Sequence, residues 1–360
     1  MERKSRKIGI IGHFGGKENI LDGQTIKTKI LHEELSKATD WKIIKVDTYY
    51  KKKNPIKLLI DTFKCLFSTK DIIVLLSGNG MKFYFPILSF FAQKFHINIY
   101  HDVIGGNLDI YVSKYPKFKK YLNSFQINWV ETAGMKDKLE NQAIKNCEVM
   151  PNFKRLSIAD REEEIEFSEP YCFCIFSRVM KEKGIEDAID AIQSINEDAG
   201  RVICSLDIYG RIDDGYVERF EKVLKQVTNA IQYKGMVPYD KSVDAIKDYY
   251  ALLFPTYWKG EGFPGTIVDA FSAGLPVIAT NWNCNGEIIE NKKNGLLYPN
   301  LEIKNLKEAI CWLIDNKDEM NEFKNNCLIS AEKYQPDEYI RKIVAVSYTH
   351  LRAHETGRNL

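Results

Sequence analysis

Pro255-Thr-Tyr-Trp-Lys-Gly-Glu-Gly-Phe-Pro-Gly-Thr-Ile-Val-Asp-Ala-Phe-Ser-Ala-Gly-Leu-Pro-Val-Ile-Ala-Thr280 packs four structural signals into one run. It reads as the end of a strand, a glycine-containing loop, a helix opening near Pro264 and a second buried strand. One carboxylate, Glu261, stands on the loop and another, Asp269, inside the helix. A helix start flanked by Gly262, Gly265 and Thr266 presents unpaired backbone N–H groups and a positive dipole end, which suits a phosphate or diphosphate. Asp269, about one turn further in, can reach toward ribose hydroxyls, and Glu261 can accept bonds from sugar hydroxyls. A strand-loop-helix with a solvated Glu and a capping Asp looks the same in isolation, so the rest of the chain has to decide.

Outward from that run the alternation of strand and helix continues in both directions. Lys7–Gly12 is a short apolar run ending in glycine, followed by the loop His13-Phe-Gly-Gly16 and a helix opening at Asp22-Gly-Gln-Thr. Further strands are expected at 41–46, 71–76 and 97–100, the last running into His101-Asp-Val-Ile-Gly-Gly-Asn107. Short strands at 127–132 and 147–152 complete the first half, and 154–170, with its acidic run and closing proline, reads as a linker. The second half restarts with strands at 171–176, 202–209, 231–235, 251–254 and 275–279, and with helices from Lys183 and from Tyr216. Two successive runs of β/α units imply two parallel sheets with ligand sites at their carboxyl edges. The segments 58–67 and 83–95 are rich in aromatic and aliphatic residues, which a helix buried on a sheet face explains more simply than contact with a membrane.

Composition narrows the class. With 44% hydrophobic and 28% charged residues in 360, the chain is of ordinary globular type. The opening Met1-Glu-Arg-Lys-Ser-Arg-Lys7 leads straight into a strand, and no apolar run is long enough to span a bilayer. The eight cysteines show no zinc or disulfide spacing and read as reduced. Residues 1–150 hold 25 Lys and Arg against 15 Asp and Glu, while the remainder holds 26 against 34. A basic first half suits an anionic membrane or a lipid-diphosphate acceptor, with Lys51–Lys53, Lys57, Lys114, Lys117, Lys119 and Lys120 as candidates, or is simply a solvated lysine-rich surface. Val346–Thr356 reads as the conceptual translation of a sequencing adapter, with Gly357–Leu360 as read-through, so 346–360 is set aside and the helix from Pro336 is expected to be cut short.

Moving a sugar off a nucleotide requires a diphosphate leaving group to be stabilised while positive charge grows at the anomeric carbon. No Asp-x-Asp metal motif stands at a convincing strand end, and Asp213-Asp214 reads as a solvated turn pair. Fixed cations are available instead in Ser177-Arg-Val-Met-Lys-Glu-Lys-Gly184. Arg178 can fork two phosphate oxygens and Lys183 adds a compact charge, an unfavourable pair at a helix start unless an anion offsets it.

These segments resemble the retaining glycosyltransferases of family 4. Glu261 and Asp269 match that family's two acids separated by seven residues, followed by Ala-x-x-x-Gly-x-Pro-Val, although Asp269 stands where the family usually has Glu. Arg178 and Lys183 match its Gly-Arg-x-x-x-x-Lys-Gly pair, with Ser177 in place of the first glycine, and 283–297 resembles its Pro-Glu-x-x-x-x-x-x-Asn-Gly-x-Leu region with Gly286 replacing proline. Asp22-Gly-Gln-Thr-Ile-Lys-Thr28 and His101–Gly106 resemble a polysaccharide-assembly branch of that family. The resemblance implies the GT-B fold, an α/β architecture of two Rossmann-like doubly wound parallel-sheet domains facing across a cleft. The expected boundaries are an acceptor domain at 1–153, a linker at 154–170, a donor domain at 171–335 and a C-terminal helix at 336–345.

It further implies a retaining hexosyltransferase that needs no metal or other cofactor, uses a nucleotide-diphosphate sugar, and acts on a saccharide or lipid-linked saccharide in cell-surface polysaccharide synthesis. Arg178, Lys183, Glu261 and His101 take the catalytic roles. Gly15, Gly16, Gly262, Phe263, Gly265, Thr266 and Asp269 take donor binding, and His13, Gln24, Thr25, Gly105 and Gly106 stand on the acceptor side. His101 either bonds a sugar hydroxyl, lines the anomeric carbon, or is a satisfied polar residue at a strand end. The location implied is the cytoplasm, including the inner face of the membrane, with no nucleic-acid partner. A sugar-nucleotide epimerase or hydrolase and a non-catalytic nucleotide-binding protein are the rival readings, whereas a dinucleotide dehydrogenase is disfavoured because Gly12, Gly15 and Gly16 do not form Gly-x-Gly-x-x-Gly.

Overall fold

A computed structural model describes residues 6–18, 22–159, 167–299 and 301–356, with side chains through residue 347. The chain divides into two compact units, residues 1–155 with 335–360, and residues 156–334.

The first unit is built on β1 (Lys7–Gly12), β2 (Lys42–Asp47), β3 (Asp71–Leu75), β4 (Asn98–Asp102), β5 (Ile127–Val130) and β6 (Cys147–Val149). They form one parallel sheet in the order β2-β1-β3-β4-β5-β6. Because helices cover both faces, the inner strands are apolar along their whole length rather than in alternation, as in Ile8–Ile11 and Ile72–Leu75. Helices 55–68, 78–95 and 117–123 cover one face, and helix 23–38 with the C-terminal helix Pro336–Thr356 covers the other. The start of helix 23–38 is set by Asp22, whose carboxylate accepts from Thr25 N–H at 3.0 Å and from the Thr25 hydroxyl at 2.7 Å. Asn54 does the same for helix 55–68, with Pro55 in the first turn. Arg155 holds the returning C-terminal helix by bonding Glu34 at 2.9 Å and Asp337 at 3.0 Å, while Phe153 stacks on Tyr339. Val346 and Ser347, from the stretch set aside as adapter-derived, continue that helix against this unit; Gly357–Leu360 lie outside the described residues.

The second unit contains β7 (Tyr171–Phe176), β8 (Cys204–Tyr209), β9 (Ile231–Gly235), β10 (Ala251–Phe254), β11 (Val277–Thr280) and β12 (Gly295–Tyr298). Its sheet is also parallel, in the order β12-β11-β10-β7-β8-β9. Helices 185–199, 217–224 and 303–315 pack on one face, and helices 242–246, 265–272 and 320–332 on the other. Leu156, Ile158 and Ala159, from the segment expected to be a linker, join this core, and Ala159 N–H bonds Ser272 O at 2.8 Å. Residues 160–166 of that segment lie outside the described residues. The strand β12 was absent from the sequence expectation. Its run Gly295-Leu-Leu-Tyr298 is only four residues long and gains its identity by pairing with β11, where Gly295 passes so close that a Cβ would lie 2.3 Å from Val277 O.

Strand order reverses between β1 and β3 in the first unit, and between β7 and β10 in the second. At such a reversal the connections leave in opposite directions and open a crevice outside the carboxyl ends of the two strands.

Candidate functional site

The crevice of the second unit is where the two sequence motifs meet. Arg178 to Gly184 follows β7 and Pro255 to Gly262 follows β10, and the neighbouring position of those strands brings loops nearly 80 residues apart in the chain into contact. Tyr257 N–H bonds Glu182 O at 2.9 Å. Gly184 sits at φ +69°, and a Cβ there would lie 2.2 Å from Pro255 O. The approach of the two loops therefore depends on that missing side chain.

Lys183 is buried and donates to Glu261 Oε2, which also accepts from the Thr256 hydroxyl at 3.0 Å. Burial pushes the Lys183 ammonium below its ordinary range, and the neighbouring Glu261 carboxylate opposes that shift. Trp258 lies beneath both cations, its ring centre 5.5 Å from Arg178 Cζ and 5.3 Å from Lys183 Nζ. Arg178 stays substantially exposed, with Asp213 3.7 Å away. The pair read as a solvated turn thus places one carboxylate beside the cation.

β11 completes the wall. Thr280 Oγ1 donates to Thr256 O at 2.5 Å, Trp282 Nε1 to Trp258 O at 3.0 Å, and Asn283 Nδ2 to Glu261 O at 3.2 Å. Cys284 Sγ lies 3.0 Å from Gly262 O. Every backbone carbonyl named here is held by a side chain from the next strand end, so the Glu261 loop is fixed in shape. A cavity of about 490 Å³ beside it is lined by Thr280, Asn281, Trp282, Leu301 and Glu302.

The helix 265–272 begins on the same side, with no side chain capping its start at Pro264. Gly265 and Thr266 are its first residues, and the Thr266 hydroxyl is bonded back to Phe176 O at the end of β7. Asp269 is buried and accepts from Ser242 Oγ at 2.5 Å. Phe263 points into the core against Tyr334, 5.2 Å between ring centres. The structure therefore gathers Arg178, Lys183, Glu261, Gly262, Gly265 and Thr266 around the β7/β10 crevice, while the side chain of Phe263 packs away from solvent.

In the first unit the strand ends carry the other candidates. His13 Nδ1 lies 2.7 Å from Thr25 Oγ1, and Gln24 Nε2 donates to Leu75 O at 3.0 Å, so these three sit at the β1/β3 reversal. Gly15 and Gly16 have φ of +83° and +60°. Their loop is pinned by Asp47 at the end of β2, which accepts from the N–H groups of Phe14 and Gly16 at 2.9 Å each. Gly105, at φ +81°, and Gly106 follow β4.

His101 is fully buried. The strand extends to Asp102 rather than ending at Tyr100, so the imidazole lies within the sheet, edge-on to Phe85 at 4.9 Å and with Nδ1 3.2 Å from Asn128 Oδ1. Of the three readings the sequence left open for His101, this buried, Asn128-bonded placement matches the satisfied polar residue at a strand end. Burial holds it down to about 4. The next side chain points to the opposite face by the two-residue period of a strand. There Asp102 meets the buried Lys27 at 2.7 Å, and Lys27 also bonds Glu131 and Val103 O at 2.9 Å each. Burial raises Asp102 to about 6, with Lys27 opposing, whereas Asp102 and Glu131 raise the Lys27 ammonium despite its burial. This buried triad, with Asp47, Thr256, Trp258 and Ser242, was not singled out from the sequence.

Comparison with known proteins agrees with this architecture. Residues 157–327 match the family model described as "Glycosyl transferases group 1". A glycosyltransferase of Methanocaldococcus jannaschii is 24% identical over 161 residues, 44% of this chain and 39% of its own length, so the chain spans less than half of that relative. Sucrose-phosphate synthase from Thermosynechococcus elongatus superposes with a TM-score of 0.77 at 15% identity, covering 97% of this chain and 100% of that one. Anabaena HepE, crystallised with UDP and glucose, superposes with a TM-score of 0.70 at 12% identity over 96% and 99%. The fold is the two-unit Rossmann-like α/β architecture, GT-B, that the sequence motifs implied.

Proposed function

We propose that the protein transfers a sugar from a nucleoside-diphosphate donor to a saccharide or lipid-linked saccharide acceptor, with retention of anomeric configuration and without a divalent ion, as a family 4 enzyme of cell-surface polysaccharide synthesis. The observation that carries this reading is the convergence of Arg178, Lys183, Trp258 and Glu261 on the β7/β10 reversal beside an uncapped helix start. In the proposed reaction, Arg178, Lys183 and the N–H groups at Gly265 and Thr266 hold the diphosphate. Charge builds on it as the bond from the anomeric carbon to the phosphate oxygen breaks. The acceptor hydroxyl attacks the anomeric carbon from the face that the phosphate leaves, and a phosphate oxygen takes its proton. Glu261, relieved of part of its contact with Lys183 by the incoming anion, orients the sugar hydroxyls, and Asp269 serves the ribose. The acceptor is assigned to the strand ends of the first unit, at His13, Gln24, Thr25 and the Gly105–Gly106 loop. The HepE complex with UDP and glucose supports the donor class, since that protein shares the fold.

The test is acceptor-dependent sugar transfer by the wild type and Arg178→Ala. Loss of one donor to the leaving group costs on the order of 3 kcal/mol, or roughly a 10²-fold fall in turnover, and chelator should leave the wild-type rate unchanged. Undiminished transfer by Arg178→Ala would reject the clamp. Turnover of the donor at full rate without any acceptor would instead favour an epimerase or hydrolase.

A further inference from the structure

Helices 55–68 and 78–95 each bury one face on the first sheet, through Leu58, Thr62, Cys65 and Leu66 and through Met81, Phe85 and Leu88. Their opposite faces are apolar as well. On the first, Ile56, Leu59, Ile60, Phe63 and Phe67 recur every three or four residues and form one stripe, with Ile56 71% and Phe67 70% exposed. On the second, Phe83 and Phe90 stand two turns apart, Phe90 58% exposed. The two faces join through a ring cluster: Phe67 lies 5.6 Å from Phe91 and 6.4 Å from Phe95, and Phe90 lies 6.0 Å from Phe95. The sequence reading preferred simple burial for these segments. That account covers only their inner faces.

Charge identifies what fits the outer one. Residues 48–96 hold eight lysines against two aspartates, and one of those, Asp71, is buried on Arg6. The lysines are exposed, Lys57 and Lys64 flanking the apolar stripe of the first helix and Lys94 lying on the Phe90 side of the second. A second copy apposed through the same face would bring two lysine sets together around the rings, whereas a surface of anionic headgroups neutralises them and takes the rings into its acyl boundary. No helix among the described residues is long and apolar enough to cross a membrane, so such contact lies in the plane of the surface. We infer that the outer face of helices 55–68 and 78–95 docks the protein on an anionic lipid bilayer, with the phenylalanines inserting and the lysines pairing with headgroups. The inference does not depend on the transfer reaction, because these residues lie outside the site described above.

Flotation of the full chain with phosphatidylcholine vesicles, and with vesicles containing 30 mol% phosphatidylglycerol, tests it. The wild type should bind the anionic vesicles at least about tenfold more strongly, with binding weakened by 0.5 M salt. Phe67→Ser/Phe90→Ser should lose about tenfold while keeping its unfolding temperature and its mass in solution. Lys57→Glu/Lys64→Glu provides the same reading should the aromatic variant unfold. Equal vesicle binding by wild type and both variants overturns the inference. So does a concentration-dependent dimer, seen by light scattering, that the phenylalanine substitutions abolish, since it assigns the face to a second copy.

Discussion

His101 and Asp102 occupy consecutive positions on β4, yet their surroundings push them in opposite directions. The imidazole is held neutral by burial against Phe85, and the carboxyl is raised by its own burial despite Lys27. The folded His101, at about 4, binds fewer protons than an unfolded histidine near 6.5. Its contribution to stability is therefore complete above that unfolded value and is lost as pH falls toward 4. Asp102, raised from 3.8 to about 6, works the other way: its contribution is complete below 3.8 and disappears as pH rises through 6. Urea unfolding should thus show a His101-dependent loss of roughly 2 kcal/mol between pH 7 and pH 5, and His101→Gln should remove it. Identical pH profiles for wild type and His101→Gln would contradict the buried placement. The sequence left a satisfied polar residue at a strand end as one of three readings of His101, but gave no sign of the Asn128 partner or of the opposed Asp102–Lys27 pair. The two-residue extension of β4 past Tyr100 sends His101 to one sheet face and Asp102 to the other, and it follows from pairing with β5.

The loops after β7 and β10 are in contact although the chain separates them. The residues that meet there were legible because each motif is contiguous: Arg178 with Lys183 in one, Glu261 with the glycines and the helix start in the other. Their supports were not, because Thr256, Trp258, Thr280 and Trp282 act through partners that only the strand order brings near. Gly184 is the contact point. Alanine there must adopt a left-handed backbone and meet the Pro255 carbonyl, so Gly184→Ala should destabilise the protein by at least about 2 kcal/mol, read as a lowered unfolding temperature. On the proposed reaction it should also slow sugar transfer by displacing Lys183 from Glu261. An unchanged unfolding temperature would show that the loops do not rely on this approach.

At the scale of the whole molecule, two parallel sheets with reversed strand order supply two crevices, and the separate features of the chain sort between them. The alternation of β and α segments made both sheets readable from hydrophobic runs alone, apart from the short β12, which depends on β11 for its definition. The exposed phenylalanines of the first unit, Phe63, Phe67, Phe83, Phe90 and Phe95, lie on helices 55–68 and 78–95. In the second unit Arg178, Lys183 and Glu261 meet around Trp258 at the ends of β7 and β10. The proposed function requires that the β7/β10 crevice hold a nucleoside diphosphate. Thermal unfolding of the wild type and Arg178→Ala against a panel of nucleoside diphosphates measures this most directly. One base should stabilise the wild type by about 2.7 kcal/mol at a hundredfold excess over its dissociation constant, with the effect lost in Arg178→Ala at the same concentration; no stabilisation by any member of the panel, or equal stabilisation of both proteins, would contradict it.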